Sequence, residues 1–98
     1  MTDLVISEAA RADLREIVDY IARDNPARAK TFLDELLARI TAVAEHPQAY
    51  PVRTDWAVPV CAAVHRRYLI VFREHEQRVE IARVLHSARD IPDILRDQ

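Results

Sequence analysis

Arg67, Arg83 and His86 are the side chains in this sequence best suited to phosphate chemistry. Cleavage of RNA by its own 2′-hydroxyl needs a proton carrier and cations around the in-line phosphate. An imidazole and two guanidiniums are the right groups. The densest such stretch is RVLHSARDI, residues 83 to 91, where an apolar run stops on His86 and Arg89 and Asp90 follow. Spacing speaks against the chemistry, however. Arg83 and His86 are three apart in a strand-like run, so their side chains leave on opposite faces unless the strand bulges or ends between them. Lys30, the one lysine, lies in another region. No catalytic set is therefore assigned; if the chain is a nuclease, the set is Arg67, Arg83 and His86. Cys61 sits in an apolar alternation and reads as a small core residue. The four histidines and the cysteine lack metal-ligand spacing, so neither a metal nor any other cofactor is expected.

Those residues need elements to carry them. At 98 residues the chain makes one domain, residues 1–98, able to bury roughly 65% of its surface on folding. Leu4 to Ile6 reads as a short strand and Ser7 as a helix cap. Leu14, Ile17, Val18 and Ile21 then place an amphipathic helix up to about Asp24. Asn25-Pro26 is a stop and a restart, because asparagine caps and proline is preorganised for a first helical position. A second apolar stripe runs from Ala29 through Phe32, Leu36 and Ile40 to Ala44 and ends before Pro47, so the two helices form an antiparallel hairpin. Val58, Val60, Ala62 and Val64 alternate as a strand, and Pro59 places it at a sheet edge. RYLIVFR (67–73) and RVEIARVLH (78–86) flank a turn at 74–77 and predict a β-hairpin. Asp90 caps a last short helix from Ile91 to Leu95. The expected fold is α+β: an N-terminal strand, a helical hairpin packed on a small, mainly antiparallel sheet, and a short C-terminal helix.

Strand 68–72 is apolar on both faces, and the helical hairpin can cover only one. Leu69 and Val71 on the other face are expected to form an open groove for a partner, since one short helix covers little sheet. A net charge of −2 and a pI of about 6.1 argue against sequence-specific DNA binding by the chain itself. One cysteine and no leader-like N-terminus predict a reducing, cytoplasmic setting. No run approaches the ~20 apolar residues of a membrane span, so no membrane partner is expected.

This layout, with YLIVFR, VEIARVLH and ARDI-xx-IL in order, resembles the RelE/ParE superfamily of type II toxin–antitoxin toxins over nearly the whole chain. Ser87 stands where members often carry glycine. The resemblance implies a cognate antitoxin laid across the toxin as a hetero-oligomer, and one of two targets. RelE-like toxins cut mRNA on the ribosome; ParE-like toxins bind and poison DNA gyrase. The unmatched nuclease spacing and low pI favour the ParE-like branch. On that reading Arg83, His86, Arg89, Ile91, Ile94 and Leu95 meet the target, and Leu69 and Val71 meet the antitoxin.

Overall fold

A computed structural model describes residues 3–56 and 58–96. Strand β1 (Asp3–Ile6) leads into helix α1 (Glu8–Ala22), and α2 (Pro26–Glu45) returns antiparallel to it. After an irregular stretch come β2 (Cys61–His65), β3 (Tyr68–His75), β4 (Arg78–His86) and the short helix α3 (Ile91–Arg96). The strands form one sheet in the order β1-β4-β3-β2. Only β1 runs parallel to its neighbour; the other pairs are antiparallel. The expected α+β fold and the edge position of β2 are both found. Among the described residues no helix is long and apolar enough to cross a membrane.

Local chemistry sets the boundaries. The Ser7 hydroxyl accepts from the Ala10 amide at 3.0 Å and donates to the Ala82 carbonyl at 2.8 Å, so one side chain caps α1 and ties it to β4. Asn25 accepts from the Arg28 amide at 3.0 Å, with Pro26 at the first turn of α2. Asp90 accepts from the Asp93 amide at 3.3 Å at the start of α3. Two strand boundaries differ from expectation. β2 begins at Cys61 rather than Val58, because Pro59 has no amide for a ladder; Val60 instead pairs with Arg53 in a single bridge. The β3–β4 turn tightens to Glu76 and Gln77. In a chain without glycine, Arg66 (φ 57°) and Glu76 (φ 53°) take the left-handed conformations that the two tight turns require.

The core has two sides. Phe32, Leu36, Ile40 and Val43 of α2, with Leu14 and Ile17 of α1, pack on Ile70, Phe72, Ile81 and Val84. On the opposite face Leu69, Val71 and Leu85 are covered by Trp56, Val60, Ile91 and Leu95. This closes the groove that the sequence left open. Val71 is 0% exposed and Leu69 9%, so neither is available to an antitoxin in the isolated chain. Two contributors make up the cover that α3 could not supply alone. Trp56 folds in from the irregular loop, with the Arg53 guanidinium 3.7 Å from its ring centroid.

Candidate functional site

The end of β4 that carries His86 meets the tip of the helical hairpin, and a cleft of about 600 Å³ opens between them. Helix α1 contributes Tyr20 and Ile21 to its wall, and α2 contributes Arg28 and Phe32, one turn apart on one face. The β2–β3 turn adds Arg66 and Arg67, followed by Tyr68 at the start of β3 and His86 at the end of β4. The Phe32 and Tyr68 rings pack tilted at 60° with centroids 5.6 Å apart, and Tyr68 meets His86 edge to face at 5.2 Å. Burial lifts the Tyr68 phenol above its usual range, which keeps it neutral.

One carboxylate organises the cationic side. Glu35 accepts from Arg28 at 2.7 Å, from Arg66 at 3.1 Å, and lies 3.3 Å from His65 Nε2. The hydrogen bonds from Arg28 and Arg66 hold its carboxyl down at about 2, from the usual 4.5. Arg67 makes no ion pair among the described residues. The His86 Nδ1 accepts from the Ala88 amide at 3.0 Å, which leaves its proton on Nε2.

Of the residues singled out from the sequence, Arg67 and His86 come together in this cleft; Arg83 does not line it. Its guanidinium is bound bidentate to Asp13 at 2.8 and 2.9 Å, and the Asp13 hydrogen bond holds it above its ordinary range. The bulge in β4 falls at Ala82, between the pairs Phe72–Ile81 and Val71–Arg83. It precedes Arg83 and so cannot swing Arg83 and His86 onto one phosphate. Expected target anchors Ile91 and Leu95 are 4% and 1% exposed and belong to the second core cluster. Arg89 is exposed and Ile94 partly so. Arg89 borders a recess of about 160 Å³ that shares Tyr20, Tyr68 and His86 with the larger cleft. Cys61 is buried at 7% exposure, and burial pushes its thiol up. No group of three or more metal-ligating side chains is found among the described residues.

Asp13, Tyr20, Arg28, Glu35 and Arg66 are not among the residues expected from the sequence. Asp13 had a signal: it lies three residues after Ala10 and four before Ile17, on the buried stripe of α1, where a carboxylate demands a partner. Arg28 and Glu35 are seven apart, two turns along one helix face. Nothing local announces that Arg66 will join them from the β2–β3 turn.

Comparison with protein families matches residues 4–91 to the ParE toxin of the type II toxin–antitoxin system, parDE. In three dimensions the chain resembles one chain of a solved structure described as the chromosomal ParDE TA system from P. aeruginosa. The TM-score is 0.76 at 21% identity, covering 88% of this chain and 96% of that one. At that identity the likeness is one of fold. No curated protein matches by sequence.

Proposed function

The chain belongs to the ParE toxin family of type II toxin–antitoxin systems, and from that premise we propose that it binds and poisons DNA gyrase in the cytoplasm and is neutralised by a cognate antitoxin. The family match over residues 4–91 carries this reading. The state of Arg83 supports it. A guanidinium bound bidentate to a buried carboxylate is a structural tie and is withdrawn from phosphate binding. A target-binding surface at this end of the molecule then consists of His86, Arg89 and Ile94, with Ile91 and Leu95 as the core that supports it and Arg83 as its anchor to α1. Supercoiling by purified gyrase, titrated with the toxin and scored for trapped DNA breaks, tests the proposal. Supercoiling should fall and breaks accumulate. If both stay unchanged while protein synthesis stops in the same cells, gyrase is the wrong target.

One observation favours a second reading, a RelE-like endoribonuclease acting on the ribosome: Arg67 and His86 do line a single cleft. Codon-dependent mRNA cleavage on translating ribosomes, falling ~100-fold in His86→Gln as expected for loss of a proton carrier, would establish it.

A further inference from the structure

The cleft between the hairpin tip and the end of β4 holds more positive charge than its carboxylate balances. Arg28, Arg66 and Arg67 line it, and the first two share the single carboxylate of Glu35. Three guanidiniums against one carboxylate leave a surplus of two. Arg67 makes no ion pair among the described residues. His86, also in the wall, keeps an N–H on Nε2 as a further donor. Set among these groups are three aromatic rings, Tyr20, Phe32 and Tyr68. Tyr20 is 63% exposed, the most open large hydrophobic side chain among the described residues.

Arginines interleaved with open aromatic rings suit a single nucleic-acid strand, whose phosphates pair with the cations while its bases stack on the rings. An acidic peptide would use the cations and leave the Tyr20 ring idle. A cleft of about 600 Å³ is of the size that takes one small ligand, so it admits a nucleotide and excludes a duplex. The net charge of −2 opposes the chain holding DNA by itself. Both observations are met when another protein holds the DNA. Resting on the gyrase reading above, we infer that this cleft takes an unpaired nucleotide of the DNA strand that gyrase has cut, with Arg67 on its phosphate and Tyr20 against its base. His86 belongs to both the cleft and the target-binding surface, which sets the DNA contact beside the gyrase contact. Only broken DNA presents an unpaired strand end. A clamp on that end opposes resealing, and this turns binding into poisoning.

The test uses purified gyrase, a duplex carrying a gyrase cleavage site, and the whole toxin chain as parent, Tyr20→Ala and Arg67→Gln. Both side chains are exposed, and circular dichroism checks that the variants fold. The parent should bind the gyrase–DNA complex at least tenfold tighter than gyrase alone. Each variant should lose that preference to within threefold and trap at least tenfold fewer breaks, while binding gyrase alone within threefold of the parent. Val52→Ala, exposed elsewhere, should match the parent throughout. Arg67→Gln should also flatten the dependence of log affinity for the complex on log salt by about 0.7, the value for one phosphate of a single strand. A parent that binds gyrase equally with and without DNA would overturn the clamp and leave gyrase as the target. So would variants that keep the preference or trap breaks as the parent does. A parent that neither binds nor inhibits gyrase would overturn both readings. Variants that lose affinity for gyrase alone as much as for the complex would assign the cleft to a gyrase surface. A uridine oligonucleotide that the free chain binds more tightly than a thymidine one of equal length, and loses with Arg67→Gln, would assign it to RNA; either result overturns the inference.

Discussion

Glu35 shows how much one side chain can hold in place. Its two oxygens bring together α2, the β2–β3 turn and His65, and so fix the cationic wall of the cleft. Its carboxyl titrates at about 2 in the folded chain against 4.5 ordinarily. A depressed carboxylate adds stability that is fully present above the unfolded value and lost as pH falls through the folded one. Glu35→Gln should therefore lower the urea midpoint at neutral pH, and the gap between parent and variant should close between about pH 4.5 and pH 2. A gap that persists unchanged at the acid end would mean that packing, rather than charge, is what the variant removes. The Arg28–Glu35 half of this arrangement is legible in the sequence from helical spacing. The Arg66 half is not, because it depends on where a turn 31 residues away along the chain comes to rest.

Among the elements, α1 does two jobs. β4 spans Arg78–His86, yet β1 pairs with it only from Arg78 to Ile81. Beyond that point no strand continues, and side chains from the start of α1 take over. Ser7 donates to the Ala82 carbonyl, and Asp13, 6% exposed, accepts from the Val84 amide at 2.9 Å as well as from Arg83. Asp13→Ala would leave a buried amide and a half-buried guanidinium unpartnered. The expected cost is about 3 kcal/mol, at the low end for breaking a buried pair because Arg83 can reach solvent. Urea unfolding of Asp13→Ala, and of Asp13→Leu paired with Arg83→Met, measures this. The double variant should regain part of the loss, since an apolar pair leaves no orphan charge. A single-variant loss below about 1 kcal/mol would refute this role for α1. Caps made these helices easy to read from sequence: Ser7, Asn25-Pro26 and Asp90 each mark a start. Strand limits were harder, because Pro59 shortens β2 and the turn at Glu76 forms without the glycine that signals such turns.

At the scale of the whole molecule, β3 is a central strand with a packed cluster on each face. That it is apolar on both sides can be read directly from YLIVFR. Its cover cannot, since Trp56 lies in an aperiodic loop and α3 has only six residues. The isolated chain should consequently bind little apolar dye and unfold in one cooperative urea transition. Leu95→Ala should cost about 2–5 kcal/mol, as for a large aliphatic removed from a core. Bright dye binding by the native parent chain would show that the second face is open after all. Truncation after Arg89 removes Ile91 and Leu95 from that core, so loss of toxicity in such a deletion would report unfolding as much as lost target contact. The Asp13–Val84 hydrogen bond has a last consequence, for amide exchange. The Val84 proton is shielded by a helix rather than by a neighbouring strand, so it can exchange with solvent only when α1 lifts away. Its exchange rate, set beside those of the β3–β4 ladder, measures how often the helical hairpin leaves the sheet while the sheet itself stays paired.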